Sequence, residues 1–444
     1  MMRLLYGVLT RVAAPAVFAA TLVRAAKDPD YRTHLGERFG LGRRAAAPCL
    51  WLHAVSVGEV AAAAALVRAL HAGHPDIPFV LTTATPTGRA QAATLFGADI
   101  EVRYLPYDTA GSVRRFLARI RPRAAIIMET ELWPNLLHEC GRRGVPVLFA
   151  SARLAARSVP RYRRFGALFG EELRNVWVAA QSRADADRFI ALGADPARTR
   201  VVGNLKFDMR LGEAVTENGH ELRRRLGARP IWTAGSTHEG EDERVLDAHA
   251  MVERAVPGAL LVLAPRHPQR FERVAALLER RGLVFDRRGR HDQRATVRPE
   301  AQVLLLDTLG ELTAFYAASD AAFVGGSLVP VGGHNLLEPA ALGVPVITGP
   351  HTQNGPEIAR LLIEAGGALE VADAAALAAA AVRLLADPVL RERMGASGRR
   401  FVEAHRGSLA RLLEIIEPLL AAETVMGGGG RINAEAVIGE RRGD

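Results

Sequence analysis

The sequence predicts an α/β protein of two Rossmann-like domains behind an apolar N-terminal helix that anchors to membrane. Three observations carry this. From Cys49 onward, short apolar runs alternate with helical patterns, as parallel sheets covered on both faces do. The alternation breaks near Asp208–Gly219 and restarts at Ile231, giving two series. The length of 444 residues, 49% hydrophobic and 24% charged, suits about two to three globular domains rather than a disordered chain.

The first element is apolar from Leu4 to Val23 except for Tyr6, Thr10, Arg11 and Thr21. Arg11 splits the apolar core and no clean cleavage site follows, which argues against a secretory signal. A spanning helix needs about 20 apolar residues and tolerates a central arginine poorly. A helix lying in or anchored to the membrane, with Arg3, Arg24 and Lys27 toward an anionic cytoplasmic leaflet, fits better than a buried first helix of the domain.

Seven strands are then expected at Leu50–Val55, Phe79–Thr83, Val102–Leu105, Ala124–Glu129, Val145–Ala150, Val176–Ala180 and Val201–Gly203. Helical patterns such as Glu59–His71 and Asp185–Leu192 lie between them. The second series runs through Ile231–Ala234, Leu260–Ala264, Val303–Leu306, Ala321–Val324 and Val344–Thr348, and Ala374–Leu420 reads as helix. The expected division is a membrane-anchoring segment over 1–27, an N-terminal domain over 28–208, a C-terminal domain over 209–425 and a disordered tail over 426–444.

Charge and cysteine content narrow the function. The net charge of +9 suits nucleic acid, anionic lipid or a phosphorylated substrate. Nucleic acid is the weakest of these, because there is no zinc finger, RNA-recognition signature or aromatic-interleaved basic run. Cys49 and Cys140 form neither a disulfide framework nor a zinc site, which points to a reducing compartment. Lys27 and Lys206 are the only lysines among 57 basic residues. A lysine kept against such an arginine bias suggests that a compact ammonium is needed, and Lys206, just past a strand, is the more suggestive of the two.

In open parallel sheets, ligands bind outside the carboxyl ends of the strands. The segment from Phe323 to Asn354 is the most informative there: a strand, the glycine pairs Gly325-Gly326 and Gly332-Gly333, a short helix opening near Asn335 and carrying Glu338, and a second strand. Glycines let a ligand approach the backbone, a helix N-terminus attracts an anion, and a carboxylate can hold a ribose diol. Together they suggest a nucleotide site, although Asn335-x-x-Glu338 also has cap spacing. Other strand ends add Ser56-x-x-Glu59, a capping box or a general base, and Glu129 and Glu131. A basic run carries Arg153, Arg157, Arg161, Arg163 and Arg164, and Gly235-Ser236 precedes a helix. Arg266 suits a phosphate or carboxylate, and the turn at Gly310 could read a nucleobase.

The strings HAVSVGEV, METELWPN, SARL, GNLKFD, AGSTHEGED, APRHPQRF, DTLGEL and GGHNLLEPAALGVPVITGP span nearly all of Leu50 to Asn354. In that order the chain resembles the 3-deoxy-D-manno-octulosonic acid (Kdo) transferases of lipopolysaccharide synthesis. YRTHLGERFG before the first strand and the N-terminal anchor are similar as well. The resemblance implies a GT-B glycosyltransferase whose two domains face a central cleft. It implies CMP-Kdo as donor, a lipid A precursor (lipid IVA type) as acceptor, and inversion without an essential metal or other cofactor. It also implies the cytoplasmic face of the inner membrane as location. Glu59 falls on the general base, and Glu129 and Lys206 on positions that stabilise the transition state. CMP contacts fall on Pro265, Arg266, Leu309, Gly310, Glu311, Asn335, Leu336, Leu337 and Glu338. Gly235, Ser236, Gly332 and Gly333 are candidate phosphate contacts, and Arg153 and Arg157 candidate acceptor contacts. Competing readings are a GT-B enzyme using a UDP-sugar, a nucleotide-sugar epimerase, and a nucleotide-binding regulator without catalysis.

Overall fold

The computed structural model describes residues 2–164, 166–209, 211–290 and 297–425. The tail expected to be disordered, 426–444, lies outside them. The chain divides into two compact units, Met1–Met209 with Arg406–Asp444, and Arg210–His405.

The first unit is built on strands β1 (Cys49–His53), β2 (Phe79–Thr83), β3 (Glu101–Tyr104), β4 (Pro122–Met128), β5 (Val147–Ala152), β6 (Trp177–Ala180) and β7 (Thr199–Val201). They form one parallel sheet in the order β3-β2-β1-β4-β5-β6-β7. Side chains alternate along each strand, so two cores result. Trp51, Ala125, Ile127 and Phe149 face one layer of helices, and Leu50, Leu52, Ile126 and Leu148 the other. The second unit repeats the plan with β8 (Ile231–Thr237), β9 (Leu260–Pro265), β10 (Phe285–Arg287), β11 (Val303–Leu305), β12 (Ala321–Val324), β13 (Val346–Thr348) and β14 (Ala368–Glu370). Its parallel order is β10-β11-β9-β8-β12-β13-β14. The sequence reading missed β10 and β14, the two edge strands.

One expectation changes. The helix Ser408–Val425, placed by sequence with the second domain, belongs to the first unit. Leu412, Ile415, Ile416 and Leu420 complete the core that contains Leu50, Val67 and Leu205. Its start is pinned by Asp208, whose carboxylate accepts from the N–H groups of Gly407 and Leu409, both at 2.7 Å.

The N-terminal helix Met2–Lys27 is neither buried in the core nor detached. Leu5–Ala26 is long and apolar enough to cross a membrane. One edge nevertheless docks on the first unit: Tyr6 Oη donates to Asp108 at 2.9 Å, Thr21 Oγ1 lies 2.8 Å from Tyr107 Oη, and Arg3 pairs with Glu172. Phe18 packs edge-on against Phe39, and Thr21 and Ala25 are buried. Leu5, Val8, Leu9, Val12 and Val23 stay exposed on the same helix.

Candidate active site

In each sheet the strand order reverses between the first strand and the one that follows the crossover, which makes β1/β4 and β8/β12 the switch points. Crevices outside the carboxyl ends form there. Glu59 follows β1 and Glu129 follows β4, so the first unit's switch point is flanked by carboxylates.

Glu59 opens the helix Val57–Gly73. Its Oε2 accepts from the Val55 N–H at 2.8 Å and its Oε1 from the Ser56 hydroxyl at 3.1 Å. Neither reciprocal bond of a capping box is formed: Glu59 accepts from the Val55 N–H rather than from that of Ser56, and Ser56 makes no side-chain cap bond to the helix. Burial pushes the Glu59 carboxyl up to about 7, and repulsion from Glu129 and Glu131 adds to it against the pull of Val55 and Ser56. A carboxyl near neutrality suits a general base. Gly58 beside it is exposed, and a Cβ there would meet nothing within 4 Å. His53, the neighbouring titratable group, is wholly buried with Nδ1 on Thr82, and burial holds it down to about 4, so it is a neutral core residue.

Glu129 has φ +53°, a left-handed conformation that costs a non-glycine residue about 1–3 kcal/mol. Ser151 and Ser236 share it, at +52° and +58°, so the strain recurs at the ends of β4, β5 and β8. Lys206 Nζ lies 3.9 Å from Glu129 Oε1, a loose pair that leaves both groups partly exposed. Lys206 is positioned by a relay across three strand ends. Its N–H donates to Asn204 Oδ1, Asn204 Nδ2 donates to Gln181, and Gln181 Nε2 donates to the Ser151 carbonyl. The structure thus brings Glu59, Glu129, Glu131 and Lys206 to one end of one sheet. Burial also pushes Glu131 up, while its Oε2 accepts from Trp133 Nε1 at 2.6 Å. Arg153 is tied into the same edge, because its carbonyl accepts from Thr130 Oγ1. Arg157, Arg163 and Arg164 are exposed and have no carboxylate partner among the described residues.

In the second unit Pro265 ends β9 in the core and Arg266 follows, exposed, with its N–H on the Thr237 carbonyl. Leu309 is exposed and Gly310 has φ +84°, whereas the Glu311 carboxylate is held by Arg288 at 2.7 Å and by Thr308. Asn335 Oδ1 accepts from the Leu337 N–H and its Nδ2 donates to Glu338 Oε1 at 3.1 Å. Leu336 and Leu337 are buried core residues. Burial raises the Glu338 carboxyl, against Asn335 and Arg266.

The glycine loop differs from expectation. Gly332 and Gly333 were candidate phosphate contacts, but their N–H groups donate to the Gly326 carbonyl at 3.1 and 2.8 Å. Gly332 is glycine because its φ is +111° and a Cβ would lie 2.8 Å from the Asn354 side chain. Gly235 is glycine because a Cβ would collide with Tyr316 Oη, so of that pair Ser236 alone keeps a side chain for a ligand. The preceding amides are also taken. Glu241, fully buried, accepts from the N–H groups of Gly326, Ser327 and Leu328 at 2.6, 3.1 and 2.9 Å, and from His238 N–H at 3.1 Å. Three consecutive amides form an anion-binding concavity, and the chain fills it with its own carboxylate. Sequence reasoning missed Glu241, since an acid in AGSTHEGED reads as a helix-start preference. Among the described residues no group of three or more His, Cys, Asp or Glu is arranged to hold a metal ion.

A family model described as 3-deoxy-D-manno-octulosonic-acid transferase (Kdo transferase) matches residues 33–209, and one described as glycosyl transferases group 1 matches 288–401. The chain is 41% identical over 430 residues to a 3-deoxy-D-manno-octulosonic acid transferase of Haemophilus influenzae, covering 95% of this chain and 99% of that one. It is 43% identical over 396 residues to that of Bordetella pertussis, covering 86% and 91%. Among solved structures, a UDP-GlcNAc 2-epimerase from Neisseria meningitidis aligns with TM-score 0.55 at 13% identity, over 84% of this chain and 100% of that one. That likeness shows the shared fold of two parallel-sheet units. On the sequence identity over almost its whole length, the chain belongs to the 3-deoxy-D-manno-octulosonic acid transferase family.

Proposed function

We propose that the protein moves Kdo from CMP-Kdo to a lipid A precursor of lipid IVA type, inverting the anomeric centre without an essential metal. The observation that carries the mechanism is Glu59, a carboxyl pushed up to about 7 at the switch point of the first unit. An acceptor hydroxyl gives its proton to Glu59 as its oxygen bonds to C2 of Kdo. The bond from C2 to the CMP phosphate breaks on the opposite face, and CMP leaves with the electron pair. Glu129 and Lys206 stabilise charge in that transition state. Arg266 and Glu338 serve the donor, Glu338 through a ribose diol. Family membership at 41–43% identity favours this over the epimerase and UDP-sugar readings.

The test is mass spectrometry of lipid IVA incubated with CMP-Kdo, with and without a chelator. Kdo addition insensitive to chelator is expected; addition from UDP-sugars alone would overturn the reading. For the donor half, Glu338→Ala is expected to weaken CMP binding about tenfold, the scale of one charge-assisted hydrogen bond. Calorimetric titration checks it, and unchanged affinity would leave Glu338 a partner of Asn335 only.

The N-terminal helix lies in the interface of the anionic cytoplasmic leaflet rather than across the bilayer. It is held to its own unit near both ends, by Tyr6 and by Thr21, and this supports an in-plane placement. The exposed apolar side chains then enter the acyl boundary, and the arginines near Arg161 meet the headgroups. Replacing Leu9 and Val12 by Glu is expected to abolish sedimentation with anionic vesicles while sparing CMP binding.

A further inference from the structure

The amides of the glycine loop are occupied by Glu241 and Gly326, so at this loop side chains are left to recognise an anion. Three histidines stand at the carboxyl ends of its central strands. His238 follows the left-handed turn at Ser236 after β8, His267 follows Arg266 after β9, and His334 follows Gly332-Gly333 after β12. His238 and His334 lie with rings nearly parallel, 9° apart, and their Nε2 atoms 2.8 Å from each other. His267 meets His238 edge-on with ring centroids 5.4 Å apart.

The surroundings are cationic. Arg266 is exposed and has no ion-pair partner among the described residues. The nearby carboxylates are all engaged: Glu241 by four amides, Asp242 by Arg270 and Thr237, and Glu338 by Asn335. Among the described residues no carboxylate bonds any of the three rings. An N–H···N contact of this kind holds only while one ring of the pair is neutral. A second proton would set N–H against N–H unless one ring turns its proton to an acceptor supplied from outside.

We propose that His238, His267 and His334, with Arg266, form an anion subsite that grips an acidic oxygen group of the donor, its phosphate or its sugar carboxylate. This rests on the CMP-Kdo reading above. In the unliganded pair the second proton is disfavoured. Burial, then Arg266, His238 and His267, hold His334 down to about 4, and burial with the same kind of neighbours lowers His238 and His267. A bound anion reverses the cause that Arg266 supplies, so binding takes up a proton and tightens as pH falls.

The test compares the full chain with His238→Asn and His334→Asn, singly and together, using CMP titrated by calorimetry and the KM for CMP-Kdo. Melting curves establish that each variant folds; if the double variant does not, the singles carry the comparison. Each variant is expected to lose about tenfold, the scale of one charge-assisted hydrogen bond. A loss in CMP affinity assigns the phosphate. A rise in KM for CMP-Kdo at unchanged CMP affinity assigns the sugar carboxylate. The parent is expected to bind more tightly at about pH 6 than at about pH 8, a slope that shrinks in each single variant and most in the double variant, because Asn does not titrate. Variants with parental affinity, KM and pH slope would overturn the subsite. A parent that binds no CMP would instead overturn the donor reading.

Discussion

Glu59→Gln should cut Kdo transfer by about 10²–10⁴-fold, the range removed with a general base, while CMP affinity stays within about twofold. The substitution keeps the shape and an acceptor for the Val55 N–H, so the helix start at Val57 should persist. What disappears is the carboxylate proposed to take the acceptor proton. The parent's pH profile supplies the second half of this prediction. A base must be ionised to act, and the Glu59 carboxyl lies at about 7. Transfer measured as kcat/KM should therefore rise with pH through about 7 and fall about tenfold per unit below it. Steady-state rates across pH, with CMP titration of the variant, check both. Near-normal turnover in the variant would return Glu59 to a helix-start residue.

Glu241→Ala should destabilise the second unit more than any substitution in its core loops. The change leaves the amides of Gly326, Ser327 and Leu328 without their acceptor in a buried place, and that of His238 in a part-buried one. Each unsatisfied buried group costs about 1–3 kcal/mol, so the sum approaches a large share of a domain's 5–15 kcal/mol. Gln keeps one acceptor oxygen but sets an NH₂ against an N–H, so Glu241→Gln should be intermediate. Urea unfolding and melting curves give the order, parent above Gln above Ala. Donor KM should rise in the same order, because the Glu241-held loop carries the chain into His334 and Asn335.

Much of this site was legible in the sequence and part was not, for physical reasons. The central strands of the first sheet showed, because strands buried on both faces are continuous apolar runs, as in AAIIM before Glu129, whereas the edge strand β7 (TRV) is largely exposed and was placed two residues late. β10 and β14 did not show, because edge strands of three residues with Asp286, Arg287 or Glu370 exposed or paired carry no such run. Glu59 and Glu129 were legible as acids at strand ends. The order reversal that puts them on the two strands beside the switch point was not, since strand order is a long-range property. The glycine pairs were located correctly and given the wrong work. A sequence shows where a backbone can adopt positive φ, but not that Gly326 and Glu241 already use the amides the glycines expose. The helix Ser408–Val425 was seen, but its periodicity cannot say which sheet it covers.

That helix sets an order of events during synthesis. The chain leaves the first unit at Met209 and returns to it only at Arg406. Leu412, Ile415, Ile416 and Leu420 are thus the last core side chains of the first-begun unit to leave the ribosome. At about 5–20 residues per second, the intervening unit takes roughly 10–40 s to emerge. Throughout that interval the sheet of β1–β7 stands with one face incompletely covered. The second unit can finish folding before the first does.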